Sequence, residues 1–230
     1  MTARETTGAA EQAICEILHK AITDRRLPAG TRLVEDQLAR LFCVSRTRIR
    51  SVLQTLARDR MVTLQRNRGA FVSCPTVAEA REVFQARRLI ETALAREAAA
   101  GCQGQNGAGR LRDHLAREAD AHERRDRQEE IRLSGEFHLL LAAMVGNATL
   151  TDFLGELTAR SSLVMAVYGG GSDCDCWIGE HRAIVDALEQ GDGDTAARLM
   201  DGHLIQVESR LRLTDEGAGS RVDVKTVLGL

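Results

Sequence analysis

The segment from residue 34 to residue 58 constrains the fold more than any other part of this 230-residue chain. Apolar residues at helical spacing predict a short helix over about 34–41. The next three residues, Phe42-Cys43-Val44, form a tight connection, and Ser45 is a good N-cap for a following helix. Four apolar residues of that helix fall within one sector of about 100°, namely Ile49, Val52, Leu53 and Leu56. Two helices joined by three residues are typical of a helix-turn-helix unit.

Charge is divided unequally between the two sides of Pro75. Residues 1–75 carry 13 Lys and Arg against 7 Asp and Glu, a balance of +6, whereas residues 76–230 carry 18 against 26, a balance of −8. Between residues 40 and 68 eight arginines meet a single acid, Asp59. Such asymmetry indicates a nucleic-acid-binding module joined to a different kind of domain.

The second helix of the helix-turn-helix presents hydrogen-bond donors on the face opposite its apolar sector. That face carries Thr47, Arg50, Ser51, Gln54 and Arg58, with Arg46 and Arg48 on its flanks. Long donors and small hydroxyls of this kind reach guanine edges and phosphates in a major groove. An ordinary solvated helix face is the alternative, but the sign of the charge, the short turn and the N-cap together favour DNA recognition.

A β-hairpin with a basic tip is predicted directly after this helix. The β-prone segments 61–65 and 70–73 flank the turn-prone sequence Arg66-Asn67-Arg68-Gly69. A helix-turn-helix followed by such a hairpin is a winged helix. We expect Arg66 and Arg68 to reach the phosphates or the minor groove, and Gly69 to allow a close backbone approach to DNA. Aromatic residues make up only 3% of the chain, too few for a platform that stacks single-stranded bases.

An amphipathic helix is predicted over about 9–24. Residues 11–73 resemble the winged-helix domain of GntR-family transcriptional regulators. The resemblance is carried by the stretch Leu27-Pro28-Ala29-Gly30-Thr31-Arg32-Leu33, by Glu35 and Leu38-Ala39, by Val44-Ser45-Arg46-Thr47, Arg50 and Leu53, and by Arg68-Gly69-Ala70 and Val72. The chain departs from the family pattern at Arg48, Ser51 and Val52, which lie on or beside the predicted reading face. The resemblance implies DNA binding.

From residue 76 onward the apolar residues keep a helical period, and we predict an antiparallel bundle able to hold a ligand between facing helices. Six helices are expected, over about 76–100, 106–127, 129–146, 149–168, 177–190 and 192–213. The predicted fold is therefore mainly α. It combines a winged helix-turn-helix DNA-binding domain over 1–75, an all-helical effector-binding and dimerisation domain over 76–213 and a flexible tail over 214–230.

Three histidines, His138, His181 and His203, fall on the apolar stripes of three predicted bundle helices. A single histidine on such a stripe is usually a satisfied core residue. Three of them in one bundle can converge, and neutral imidazoles that converge on one cavity commonly hold Zn²⁺ or a similar divalent ion.

Residues 76–212 resemble the FCD ligand-binding domain of the FadR subfamily of GntR regulators. The matching residues are Arg87 with Glu91, Phe137-His138 with Gly146-Asn147, His181 with Ile184, Gly191-Asp192, and His203-Leu204. The resemblance implies a metal held by an aspartate, by a histidine four residues later and by two further histidines. On this match the metal ligands are His138, His181 and His203.

Ser134 occupies the position of the implied aspartate. Serine is a weak neutral ligand, so the predicted site lacks one negative charge. Glu136 does not replace it, because two residues along a helix turn the side chain by about 200°. Three arrangements stay open: a three-histidine metal site completed by water or effector, a site completed by another residue, and a metal-free pocket whose histidines bind the effector.

Arg87 and Glu91 are four residues apart, the spacing of an ordinary intrahelical ion pair. If Arg87 faces the histidines instead, its guanidinium is suited to clamp an effector carboxylate, as the resemblance implies. Arg87 and Ser134 are our candidates for effector contact. Cys174 and Cys176 lie in a Gly-rich loop before His181, where they either lend a soft ligand, sense oxidation or are incidental thiols.

The sequence thus predicts a ligand-responsive transcription factor. We expect a repressor that binds a pseudo-palindromic operator as a homodimer and is released by a small carboxylate metabolite. The alternatives are a metal-dependent hydrolase built on the bundle, for which no positioned general base is evident, and a DNA-binding protein with no effector. Scattered cysteines, a polar start and the lack of a long apolar run favour a cytoplasmic protein that does not cross a membrane.

Overall fold

The computed structural model describes residues 3–24, 26–101, 107–169 and 177–213. The chain divides into two compact units, one comprising the residues up to Thr76 together with 163–167 and the other built from residues 77–162 and 168–213. Cys174 and Cys176 lie outside the described residues, and so does the tail 214–230, for which flexibility was predicted.

The first unit combines three helices with a small antiparallel sheet. Its elements are α1 (Ala3–Thr23), β1 (Arg32–Leu33), α2 (Glu35–Leu41), α3 (Arg46–Arg58), β2 (Val62–Gln65) and β3 (Gly69–Val72). The strands are ordered β1-β3-β2, so that β3 lies between its hairpin partner and the short first strand. The winged helix-turn-helix predicted from the sequence is confirmed.

Strand β1 is the one element of this unit that the sequence did not predict. Arg32 pairs with Phe71 and Leu33 pairs with Ala70, and the Val72 amide donates to the Thr31 carbonyl at 2.8 Å. Two residues are too few to show the alternation by which a strand is recognised. Strand β1 forms because it pairs with β3, the second strand of the hairpin.

The apolar face predicted for α3 is the face that holds the unit together. Ile49, Val52, Leu53 and Leu56 are all buried, and α1 packs against them with Leu18 and Ile22. Ser45 caps α3 by accepting a hydrogen bond from the Arg48 amide at 3.4 Å. This anchoring fixes which side chains of α3 face solvent.

The described part of the second unit is built from helices, as predicted, with one isolated antiparallel bridge between Gly169 and Leu211. Its helices are α4 (Val77–Gly101), α5 (Gly107–Glu123), α6 (Arg127–Val145), α7 (Ala148–Tyr168), α8 (Trp177–Glu189) and α9 (Gly193–Ser209). Gly146 ends α6 with a left-handed backbone, φ 76°, and Asp192 caps α9 by accepting from the Thr195 amide at 2.9 Å. At these two places the chain leaves one predicted helix and starts the next at a glycine or a capping residue.

Helices α4 and α9 pack against each other, α8 packs on both of them, and α6 packs on α4. At Gly193 a Cβ would lie 2.7 Å from the Arg96 carbonyl oxygen, so only glycine permits this approach of α9 to α4. Phe137, Leu141, Ile184, Met200 and Leu204 belong to the core that results. No helix among the described residues is long and apolar enough to cross a lipid bilayer.

Candidate functional site

The outward face of α3 carries the residues predicted to read DNA, and we call this face the reading surface. Its members are Arg46, Thr47, Arg48, Arg50, Ser51 and Gln54. Arg46, Thr47, Arg50 and Gln54 are exposed, whereas Arg48 and Ser51 are half-buried. Arg58 is also exposed and donates to Thr55 Oγ1 at 3.0 Å.

Helix α2 brings two carboxylates against the reading surface, which the sequence reasoning did not predict. Glu35 accepts two hydrogen bonds from one guanidinium, from Arg50 Nε at 3.1 Å and from Arg50 Nη2 at 2.8 Å. Asp36 Oδ1 lies 3.0 Å from Arg46 Nε. The hydrogen bond from Arg50 is the main cause that lowers the pKa of Glu35 below its ordinary value, so the carboxylate is charged at neutral pH.

The hairpin tip has the backbone that its sequence predicts. Gly69 has φ 100° and Asn67 has φ 61°, both in the left-handed region. Arg66 and Arg68 are exposed, and the Arg68 guanidinium lies 5.8 Å from the centre of the Phe71 ring. Two cations are thus presented at an exposed glycine, as a wing that contacts DNA requires.

Three histidines from three helices meet inside the second unit, and we call this group the histidine centre. His138 of α6, His181 of α8 and His203 of α9 are all buried, and one ring nitrogen of each lies within 4.8 Å of the others. His181 Nε2 lies 3.4 Å from His203 Nε2. Two nitrogen ligands of a tetrahedral Zn²⁺, at bond lengths of about 2.05 Å, lie roughly 3.3 Å apart. The spacing fits a divalent ion bound between these rings.

Each histidine of the centre contacts, through its Nδ1 atom, a glutamate from a different helix. Glu91 Oε2 lies 2.5 Å from His138 Nδ1, the Glu118 carboxylate lies 3.0 Å from His181 Nδ1, and Glu180 Oε2 lies 2.6 Å from His203 Nδ1. At His181 and His203 the carboxylate is hydrogen-bonded to Nδ1, which favours the tautomer that carries its proton there and leaves the Nε2 lone pair free. At His138 the Glu91 carboxylate makes a close contact with Nδ1. The three free nitrogens can then face one point.

Burial and neighbouring charges together keep these groups in the protonation states that a metal needs. It lowers the pKa of His138 to about 4, against the opposing charge of Glu91, and it lowers the pKa of His203 well below the ordinary value. Burial alone would raise the pKa of Glu91, but Arg87 and His138 bring it to about 2. Neutral imidazoles backed by a charged carboxylate are competent metal ligands.

Aromatic packing fixes the orientation of the rings. Phe137 stacks on His181 with ring centres 4.0 Å apart and planes inclined by 10°. On the other side of the His181–Glu118 pair, His114 Nε2 lies 2.9 Å from the Leu133 carbonyl oxygen. The hydrogen bonds from His114 and His181 outweigh the effect of burial and lower the pKa of Glu118 to about 2.

Arg87 forms the predicted ion pair and also extends beyond it. Its Nε lies 2.5 Å from Glu91 Oε1, and its Nη1 donates to Ser161 Oγ of α7 at 2.8 Å. Among the residues that the structure describes, its buried Nη2 has no hydrogen-bond partner, and neither has the buried Oγ1 of Thr158, one turn before Ser161. Buried polar atoms of native proteins are nearly always paired, which makes these two atoms candidates for contact with a ligand.

Ser134 lies one turn before His138 on α6 and is half-buried. Within the described residues, the carboxylates beside the histidines are Glu91, Glu118 and Glu180, and each of them contacts an Nδ1 atom. Glu136 points elsewhere, since it pairs with Arg132 at 2.6 Å.

Four residues near the histidines were not predicted from the sequence as site residues, namely Glu118, Glu180, Thr158 and Ser161. The spacing of His114 and Glu118, four residues apart, was the one available signal. Glu180 is next to His181 in the chain but contacts His203 of another helix, and no pattern within one helix predicts such a contact.

Comparison with known families identifies both units. Residues 10–72 match the gntR family of bacterial regulatory proteins, and residues 82–206, more than half of the chain, match the FCD domain. The chain is 28% identical over 207 residues to the HTH-type transcriptional repressor RspR of Escherichia coli (strain K12), with 90% of each chain covered.

Two solved structures are similar to this chain. The crystal structure of a GntR transcriptional regulator from Rhodococcus sp. RHA1 matches with a TM-score of 0.76 and 25% identity, covering 88% of this chain and 97% of that one. Escherichia coli McbR/YncC matches with a TM-score of 0.77 over 90% of this chain and 95% of that one, and its 17% identity shows a common fold. The chain therefore belongs to the GntR family and carries an FCD domain, and it is a DNA-binding transcriptional regulator and not an enzyme.

Proposed function

We propose that this regulator is a homodimeric repressor whose FCD domain binds a divalent metal through the histidine centre and a carboxylate effector through Arg87. The observation that carries the proposal is the convergence of three buried histidines, each backed by its own glutamate. Such carboxylate–histidine pairs are typical of zinc sites.

The metal ligands are the Nε2 atoms of His138, His181 and His203. Each Nδ1 faces a glutamate, so each Nε2 remains for the ion. Three imidazoles occupy three positions of a tetrahedral ion, which leaves the fourth for water or an effector oxygen. Of the arrangements left open by Ser134, the geometry favours the three-histidine site completed by water or effector. Zn²⁺ or a similar ion suits a donor set made of imidazole nitrogen.

The effector is a small carboxylate. The unpaired Arg87 Nη2 offers a charged donor, and Thr158 Oγ1 offers a neutral one. Ser134 lies on the helix that brings His138 to the centre, and we keep it as a candidate contact. An arginine already oriented by Glu91 and Ser161 loses little further freedom when it binds a carboxylate.

The DNA contacts are those of the reading surface and the wing, which comprise Arg46, Thr47, Arg48, Arg50, Ser51, Gln54, Arg66, Arg68 and Gly69. A two-fold dimer presents two such surfaces to the half-sites of a pseudo-palindromic operator. The similarity to RspR, which is named a repressor, favours repression. We infer that the effector favours a dimer geometry that no longer fits the operator.

Metal content tests the central part of the proposal. We expect about one equivalent of metal in the purified protein by elemental analysis, and a loss of it in His181→Ala. His122→Ala is the matched control, because it removes an imidazole that lies beside Glu130 and not in the centre. Equal metal in wild type and His181→Ala would refute the site.

A thermal-shift screen of small carboxylates on the metal-loaded protein tests the effector. We expect at least one hydroxy- or dicarboxylate to raise the melting temperature and to weaken binding to operator DNA in a mobility shift. A stabilising carboxylate that leaves DNA affinity unchanged would contradict the regulatory role.

A further inference from the structure

Glu35 holds Arg50 in one defined orientation on the reading surface. The carboxylate accepts from Nε and Nη2 of the same guanidinium, at 3.1 and 2.8 Å, across the connection between α2 and α3. Glu35 is the more protected partner, with a side-chain exposure of 28% against 57% for Arg50. The acid is therefore anchored, and the outer part of the arginine faces solvent.

The pairing decides which edge of the guanidinium remains free. A guanidinium carries five N–H donors in a planar fork. Glu35 occupies the edge formed by Nε and Nη2, so the free edge consists of Nη1 and the second hydrogen of Nη2. Two parallel donors at the end of an arginine match the O6 and N7 acceptors of guanine in the major groove.

We propose that Glu35 is a specificity-determining positioning residue, which fixes Arg50 so that its terminal Nη1–Nη2 edge reads a guanine. The proposal rests on the assignment of Arg50 to the DNA-reading surface. Because Glu35 is a negative charge close to DNA phosphates, it also weakens binding to every duplex. It thus lowers overall affinity while it raises discrimination between bases.

Asp36 supplies a matched comparison on the same helix. It lies next to Glu35, carries the same charge and contacts Arg46 through Nε at 3.0 Å, but it is 51% exposed. Asp36 is also the nearer acid to Arg46, because Glu35 Oε2 lies 3.5 Å from Arg46 Nη2. Removal of the Asp36 charge leaves the two-fold contact between Glu35 and Arg50 in place. Any effect confined to Glu35 therefore reflects the orientation of Arg50 and not charge alone.

The experiment begins with the full-length protein and a pool of randomised duplexes, from which selection defines a preferred duplex. Dissociation constants are then measured for that duplex, for its single base-pair substitutions and for a scrambled duplex of equal composition. The proteins are wild type, Glu35→Gln, Glu35→Asp, Asp36→Asn, Arg50→Ala and the double variant Glu35→Gln/Arg50→Ala. Circular dichroism melting checks that each variant is folded.

We expect Arg50→Ala to lose a preference of roughly tenfold or more at one G·C pair of each half-site. Glu35→Gln loses most of that preference at the same pair, yet it binds the scrambled duplex as tightly as wild type or more tightly. Glu35→Asp, which keeps the charge but is shorter, also loses preference there. Asp36→Asn keeps the preference, and the double variant shows no loss beyond that of Arg50→Ala.

The outcomes that would overturn the proposal are distinguishable. If the wild-type protein enriches no duplex, the assignment of Arg50 to a DNA-reading surface is wrong. An unchanged base preference in Arg50→Ala shows that another residue reads the guanine. An intact preference in Glu35→Gln, or an equal weakening on both duplexes with a lower melting temperature, shows that Glu35 has no positioning role.

Discussion

The reading surface and the histidine centre are both organised by carboxylates, but the two sets of carboxylates lie in opposite surroundings. Glu35 and Arg50 pair on the surface, whereas Glu91 and His138 pair in the interior with at most 3% exposure. Exposed pairs contribute little to stability and exchange partners readily, while a broken buried pair leaves an uncompensated charge. The difference suits the roles that we propose, a surface that binds and releases DNA and a centre that keeps three nitrogens in place.

Neighbouring arginines of α4 test this contrast within one helix. Arg87 pairs with Glu91 in the interior, and Arg88 pairs with Asp201 at 38% exposure. We expect Arg87→Met to lower the free energy of unfolding by about 3–5 kcal/mol, because it leaves Glu91 charged and buried. Arg88→Met should cost less than about 1 kcal/mol. Urea unfolding followed by circular dichroism measures both, and equal losses would remove the distinction between the two kinds of pair.

The reading surface should account for most of the affinity for DNA. We expect Arg46→Ala/Arg50→Ala to weaken binding to the selected duplex by roughly 100-fold or more, since each substitution removes an expected contact with a base or a phosphate. The control is Arg96→Ala/Arg198→Ala in the FCD domain, which removes the same charge. A salt-dependent mobility shift measures the effect, and unaltered binding by the first double variant would show that α3 is not the reading helix.

The glutamates behind the histidines should matter for the metal although they do not touch it. We expect Glu180→Gln to weaken Zn²⁺ binding by about 10- to 100-fold, because an amide is a poorer acceptor for the His203 Nδ1 proton. Glu189→Gln, on the same helix but paired with Arg112, is the control and should be neutral. Competition against a zinc chelator measures both affinities. Equal affinity in the two variants would mean that Glu180 has no influence on the centre.

The smallest expected effect concerns the effector. Thr158→Val keeps the shape of the side chain but removes the unpaired Oγ1, and we expect it to weaken the carboxylate found in the thermal-shift screen by a few-fold. Thr92→Val is the control, because the Thr92 hydroxyl already donates to the Arg88 carbonyl at 2.7 Å. Calorimetry measures the two affinities. An unchanged affinity in Thr158→Val places the effector elsewhere.

The two regions also differ in how far the sequence predicts them. The helix-turn-helix, the hairpin and the buried face of α3 follow from local spacing, because these elements are adjacent in the chain. Strand β1 does not, since its two residues show no pattern until β3 pairs with them. The contact of Glu35 with Arg50 spans 15 residues and depends on the angle between α2 and α3, which periodicity does not give.

In the FCD domain the sequence predicts which residues are buried but not what they contact. His138, His181 and His203 fall on apolar stripes and are buried as that position implies. Their partners come from other helices, with Glu118 lying 63 residues before His181 in the chain. Arg87 makes a predictable contact and an unpredictable one. Its pair with Glu91 follows from i,i+4 spacing, whereas its contact with Ser161 depends on where the fold places α7.

Metal coordination is the strongest test of the proposed histidine centre. X-ray absorption at the zinc edge of the metal-loaded, full-length protein reports the number and type of ligand atoms. We expect three imidazole nitrogens and one oxygen at about 2.0–2.1 Å, with one imidazole lost in His203→Ala. A spectrum with sulfur at about 2.3 Å, or with fewer than three imidazoles in the wild type, would contradict the three-histidine centre.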